Sequence, residues 1–294
     1  MRFGFASAVA ALVVASLPVF ALAATVPAAI YTDPPHDAKF PASTAVLHIP
    51  THGVAINGLA YLPAGPGAHP VLVICHGLPG NEKNLDLAQA VRRAGWVAVT
   101  FNYRGSWGSP GTFSFPGNLE DAAAVLTYLR DPLNAASLRL DPTRIVIAGH
   151  SMGGWVAAKT AARDAGLLGA VLISAWDPSR PITHKNAVAF MASDMESLAG
   201  VTAESMAAER EAHIQELSLI DTAKGLQGKR LLVLSADDGL APGTDALVTA
   251  IRAGGGGRDV TSEHVATDHS WSDRRVALAS SIIGWLLKLP AANP

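Results

Sequence analysis

The sequence predicts an α/β fold, a mainly parallel central sheet with helices on both faces. Three observations predict it. Short continuous apolar runs, such as residues 71–75, read as strands buried on both sides. Helical patterns separate these runs along most of the chain, which is the rhythm of a parallel sheet. The 294 residues are 49% hydrophobic, enough to fill the core of one large domain.

The elements follow in order. Arg2, an apolar run over 5–20 and the small-x-small triplet Ala21-Leu22-Ala23 read as a secretory signal peptide spanning 1–23. An uncleaved anchor is the alternative, but Pro18 and the cleavage triplet suit a signal better. Export to the periplasm or the medium is the expectation, with no membrane attachment after cleavage. Residues 24–43, rich in Ala and Pro, read as a linker, and 44–290 as the folded domain. Strands are expected at 45–49 and 54–62, joined by a turn at Thr51-His52-Gly53, then at 71–75 and 96–101. A helix at 85–94 closes on Gly95, and a second runs over 119–129. Asp141-Pro142-Thr143-Arg144 makes a turn that opens a strand at 144–148, and a helix follows at 154–163. Further strands are expected at 168–174, 230–235 and, weakly, 260–266; helices are expected at 246–252 and 275–287. Residues 176–226 break the rhythm with helix-like spacing and no buried strand, as an inserted helical cap would.

Composition excludes some functions. Lys+Arg 22 against Asp+Glu 24 leaves no basic field for a phosphate backbone, so nucleic acid is not an expected partner. The single cysteine excludes an intrachain disulfide framework, and no metal-ligand pattern or cofactor motif appears.

Chemistry concentrates at strand ends. Gly149-His150-Ser151-Met152-Gly153 fits Gly-x-Ser-x-Gly, with an apolar strand running in and a helix running out. A serine on such a sharp turn is held up and exposed, and the glycines permit tight backbone approach. Its hydroxyl needs a base. His269, in Asp268-His269-Ser270-Trp271 between the last strand and the last helix, is the candidate; His264 lies inside the strand and reads as structural, and His150 points wrongly to act as base. Asp238 is favoured over Asp237 to orient the imidazole, both following the strand at 230–235. Oxyanion donors are expected from the Met152 amide and, beyond the strand at 71–75, from the Leu78 amide in His76-Gly77-Leu78-Pro79-Gly80. Trp107 and Phe113 are candidates to wall a substrate pocket, Arg104 to tie loops together, and Cys75 reads as a buried small hydrophobe.

In these motifs the chain resembles the α/β-hydrolase superfamily. The matching pieces are His76-Gly77-x-Pro79-Gly80, Asn102-Tyr103-Arg104-Gly105-x-x-Gly108-Ser109-x-Gly111, Asp141-Pro142-x-Arg144-Ile145, Gly149-His150-Ser151-Met152-Gly153-Gly154, and the surroundings of Asp238 and His269. The resemblance spans about 45–290 and is nearest to dienelactone-hydrolase-like proteins and to prolyl-oligopeptidase and serine-aminopeptidase catalytic domains. Two departures matter: dienelactone hydrolases carry Cys where Ser151 stands, and there is no room for the propeller of a prolyl oligopeptidase. The resemblance implies the α/β-hydrolase fold with a small helical cap, a Ser151–His269–Asp238 triad and no cofactor. The expected function is a serine hydrolase acting on a carboxylic ester with an uncharged acyl group. A serine peptidase acting on short peptides is the alternative, with Asp194, Glu196, Glu204 or Glu209 available to hold an amino terminus. A non-catalytic binding protein on the same scaffold is the third reading. Oligomeric state is not legible.

Overall fold

The computed structural model describes residues 26–290 apart from 194, so the expected signal segment lies outside the described residues. Eight strands form one sheet: β1 (Ser43–Thr51), β2 (Val54–Leu62), β3 (His69–Cys75), β4 (Val97–Phe101), β5 (Leu140–His150), β6 (Leu167–Ile173), β7 (Arg230–Ala236) and β8 (Val260–Val265). Their order across the sheet is β1-β2-β4-β3-β5-β6-β7-β8. β1 and β2 form an antiparallel hairpin, β2 meets β4 antiparallel, and every later pairing is parallel.

The apolar runs explain the layering. Along β3, Val71, Val73 and Cys75 enter one core while Leu72 and Ile74 enter the other. Alternation by two thus sends one continuous apolar run to both faces. The first core takes α2 (Phe115–Arg130), α3 (Pro132–Ser137), α4 (Met152–Arg163) and α7 (Ala241–Ala253); the second takes α1 (Leu85–Arg93) and α8 (Arg275–Leu286). Within 24–43, Ala28–Ile30 forms a short 3-10 turn, and Arg93 donates to the carbonyls of Ala29 (2.6 Å) and Ile30 (3.3 Å). Among the described residues no helix is long and apolar enough to cross a membrane.

Differences from the expected boundaries have local causes. α2 starts at Phe115, not 119, because the Ser114 hydroxyl accepts from the Gly117 amide (3.0 Å) and Pro116 sits in the first turn. α3 was not expected; Asp131 caps it by accepting from the amides of Leu133 and Asn134 (3.0 Å each). The turn expected at 141–144 lies inside β5, where the pairing with β3 shifts register between His69↔Leu140 and Val71↔Ile145. The Asp141 carboxylate there accepts from the Thr143 amide (2.9 Å), so the turn chemistry is real and the strand absorbs it as an irregularity.

Between β6 and β7 the cap comprises α5 (His184–Met191) and α6 (Ala203–Ala212) with two 3-10 turns. It is stitched to the body. The Glu209 carboxylate accepts from the Phe115 amide at the start of α2 (2.8 Å), and the Leu217 carbonyl accepts from the Trp155 indole (2.7 Å).

Candidate active site

Register places the site. Cys75 pairs with Gly149, His150 with Ile173, Ile173 with Leu234, and Ala236 with Val265. The C-terminal ends of five parallel strands therefore sit at one rim, where open α/β sheets form their crevices.

Ser151 occupies the turn from β5 to α4 with φ 56° and ψ −120°, a conformation few L residues adopt. The neighbours enforce it. The Ser151 amide donates to the Ile173 carbonyl (2.9 Å), and its own carbonyl accepts from Trp176 (3.0 Å) and Gly154 (3.0 Å). A Cβ at Gly149 would overlap the backbone of Gly153, and one at Gly153 the backbone of Cys75 and His76. The glycines of the motif are thus required by close packing of strand end on helix start. Gly77 lies against the serine, its would-be Cβ 3.1 Å from the Ser151 Cβ, so the loop carrying Leu78 passes directly beside Ser151. Met152 is the first residue of α4, where an amide has no acceptor within its own helix.

His269 Nδ1 lies 2.7 Å from Asp238 Oδ2. The Asp238 side chain is 4% exposed, and its other oxygen accepts from the Leu240 amide (2.9 Å). Burial by itself would raise the Asp238 pKa; hydrogen bonds from His269, the Leu240 amide and the Ser174 hydroxyl outweigh it and hold the carboxyl below its usual range. Asp237 instead faces outward and pairs with His264 Nε2 (2.9 Å), whose Nδ1 meets the Ser235 hydroxyl (2.9 Å). The Asp237 amide donates to the Thr267 carbonyl (3.1 Å), which aligns the two loops bearing Asp238 and His269.

Three residues beyond the sequence reading hold this pair. His150 Nε2 lies 2.7 Å from the His269 carbonyl, and its ring packs on the His269 ring at 4.6 Å between centroids. Burial, followed by the neighbouring His269, lowers the His150 pKa to about 4, so this ring is neutral and donates through Nε2–H. Trp271, with φ 59°, donates its indole N–H to the Ser174 hydroxyl (3.1 Å), which serves Asp238 in turn. Trp271 stands two residues past His269, a spacing that hints at such support; nothing in the sequence marks Ser174.

Ser151, Asp238 and His269 line a cavity of about 390 Å³, large enough for a small molecule. Its other walls are Trp176, Pro181, Ile182, Ala187, Phe190, Met191 and Leu240, with Arg180 and Arg210. Trp107 and Phe113, expected to wall it, do not line it. Phe113 is buried in the core with its ring edge-on to Phe115 (5.7 Å). Trp107 lies partly exposed; its indole donates to the Pro79 carbonyl (2.7 Å) and the Lys83 ammonium stands 4.1 Å from its ring. It braces the loop bearing Leu78. Aromatic contact with Phe115 and Phe190 instead places Trp176 at the cavity, at centroid distances of 5.9 and 5.7 Å. Arg104 does tie loops, reaching Asp121 (2.7 Å) and the Gly117 carbonyl (3.1 Å). Cys75 is buried, and burial pushes its thiol up to about 12. Among the described residues no group of three His, Cys, Asp or Glu side chains is placed to hold a metal ion.

A profile described as "Alpha/beta hydrolase family" matches residues 72–281. The carboxylesterase NlhH of Mycobacterium tuberculosis is 35% identical over 117 residues, 37% of this chain and 35% of NlhH. The chain spans less than half the length of the curated relatives it matches. The crystal structure of EstE1, a thermostable carboxylesterase cloned from a metagenomic library, superposes with a TM-score of 0.62 at 23% identity, covering 88% of this chain and 92% of EstE1. An acylaminoacyl peptidase of Pyrococcus horikoshii superposes with a TM-score of 0.61 at 16% identity, covering 86% of this chain and 42% of the peptidase.

Proposed function

Because the chain belongs to the alpha/beta hydrolase family, we propose that it is a serine hydrolase of carboxylic esters. Ser151 attacks the scissile carbonyl. His269 takes its proton and returns it to the leaving alcohol, while Asp238 fixes the tautomer that carries hydrogen on Nδ1 and stabilises the imidazolium. The amides of Leu78 and Met152 receive the developing oxyanion. An acyl-enzyme forms on Ser151, and water activated by the same imidazole releases it. The single observation that carries this reading is the 2.7 Å contact between His269 Nδ1 and the buried Asp238 carboxylate, at the rim of the cavity that Ser151 lines. The segment 1–23, with Arg2, an apolar run over 5–20 and the triplet Ala21-Leu22-Ala23, supports export of the enzyme.

A specific observation favours ester over peptide. Among the described residues Asp238 is the single carboxylate lining the cavity. Glu204 is engaged by His184 (2.7 Å) and Glu209 by the Phe115 amide (2.8 Å), so neither is offered to a substrate amino group. The test is turnover of para-nitrophenyl esters against aminoacyl anilides. Esters should be hydrolysed and anilides not. Ser151→Ala should lower ester turnover by roughly 10⁶-fold, and a fluorophosphonate should label the wild-type serine. A folded protein that is neither labelled nor active on esters would remove the assignment.

A further inference from the structure

We propose that the substrate is an anionic ester, one bearing a carboxylate that Arg210 binds in the cavity that Ser151 also lines. The inference rests on the ester reading above and names the substrate class of that site. It departs from the uncharged acyl group that the low charge content of the sequence suggests.

Arg210 carries the argument. It lies on α6 of the cap and lines the cavity that Ser151 and His269 also line. The residue is 2% exposed. One guanidinium nitrogen, Nη2, donates to the Arg180 carbonyl, which fixes the direction of the fork. Nε is buried and has no hydrogen-bond partner. No carboxylate among the described residues lies within 4 Å of the group. Burial lowers its pKa more than the carboxylates of Glu211 and Asp177 raise it. A buried cation without a counter-ion is costly, and native proteins pair or solvate such groups. A purely structural role explains the bond to the Arg180 carbonyl. It leaves the charge and the idle Nε donor unexplained.

The surroundings say what would complete it. The one carboxylate among the described lining residues, Asp238, is engaged by His269 and the Leu240 amide, and apart from Arg180, Ser151 and His269 the other walls are apolar, so the missing partner arrives with the ligand. A carboxylate fits the planar donors of a guanidinium bidentately. Arg180, also on the wall, spends Nη1 on the Gly239 carbonyl (2.7 Å) and adds a second positive charge. Trp176, Phe190, Met191 and Leu240 line the same cavity as the arginines and Ser151, and such apolar walls would hold a short methylene chain. The substrate class is therefore a half-ester of an aliphatic dicarboxylic acid, or its equivalent with the carboxylate on the alcohol side.

The full-length protein is assayed on para-nitrophenyl half-esters of succinic, glutaric and adipic acid, each against the neutral acyl ester of equal chain length, with buffer rates subtracted. At least one half-ester should exceed its neutral partner at least tenfold in kcat/KM. Arg210→Met should reduce that preference by on the order of 10- to 100-fold, the range expected for losing a hydrogen bond to a charged group; Arg210→Lys should restore part of it. A wild-type preference for every neutral ester, or an anion preference unmoved by Arg210→Met, overturns the proposal while leaving the ester reading intact. If the variants do not fold, inhibition of the wild type decides: hexanoate should inhibit at a concentration at least tenfold lower than hexanamide, and equal inhibition overturns the proposal. No turnover of any ester would instead overturn the reading on which the proposal rests.

Discussion

In the proposed triad Asp238 must be ionised and aimed, and a serine that no motif announces stands beside it to support both. Ser174, at the end of β6 with φ 43°, accepts from the Trp271 indole and donates to Asp238. Both Ser174 and Trp271 are buried. Ser174→Ala should lower kcat by roughly 10-fold through the loss of one donor to a charged acceptor, with KM little changed. It should also cost about 1–3 kcal/mol of stability, because the indole N–H is left without an acceptor. Steady-state kinetics and the urea midpoint read the two effects separately. A stable variant with unchanged kcat would show that Asp238 does not need this bond. Asp238 could be preferred to Asp237 in the sequence by position alone; what separates them in space is burial, since Asp237 is held outward by His264. Arg210 was illegible for a plain reason: a charge on a short amphipathic helix reads as a solvated face, and only the docking of α6 turns it inward.

Elements were legible in proportion to how much of their signal is local. The central strands β3 to β7 show as apolar runs because burial on both faces favours apolar residues, whereas β8, with no buried residue, shows only weakly. The elbow was legible because backbone proximity demands glycine at Gly149 and Gly153. The start of α2 and all of α3 went unread although their caps, Ser114 and Asp131, stand in the sequence. The cap resists reading most, because α5 and α6 are short and their faces are set by tertiary contact. Its aromatic wall, Trp176 and Phe190, was correspondingly missed in favour of Trp107 and Phe113, since an aromatic in a loop does not reveal which way it turns. One of the contacts that seat the cap can be tested alone: the Glu209 carboxylate on the Phe115 amide, an acceptor placed at the positive end of α2. Glu209→Ala should cost about 1–2 kcal/mol, as loss of an N-terminal acceptor does. Proteolysis within 176–226 should accelerate, whereas Glu209→Gln, which keeps an acceptor, should sit between the two. Equal cleavage rates in wild type and Glu209→Ala would show that other contacts carry the cap.

At the scale of the whole molecule, the rim that gathers the site also buries two imidazoles, and this sets a pH limit on the fold. His76 and His150 follow or end adjacent parallel strands, and burial lowers both to about 4 from 6.5. A histidine whose folded pKa is lowered binds its proton more readily when unfolded. Its contribution to stability is complete above about pH 6.5 and is lost as pH falls from there towards 4. At pH 5 each should have cost about 2 kcal/mol relative to neutral pH. The depressed carboxylates Asp86, Asp164, Asp238 and Asp268 act in the same direction, but only at and below their ordinary value of 3.8, outside this window. Asp121 and Glu209, raised by burial, and His184, raised by Glu204 and then Glu211, act in the opposite sense. The raw slope of stability against pH therefore mixes several groups, and a paired comparison isolates one. His150→Gln keeps an N–H able to reach the His269 carbonyl and removes the titration. Between pH 7 and pH 5 the wild type should lose about 2 kcal/mol more than His150→Gln, read as the difference in urea midpoints multiplied by a common m-value. Parallel pH dependences in the two proteins would mean that His150 titrates alike in the folded and unfolded chain. The neutral, carbonyl-directed ring that holds His269 would then have to be abandoned.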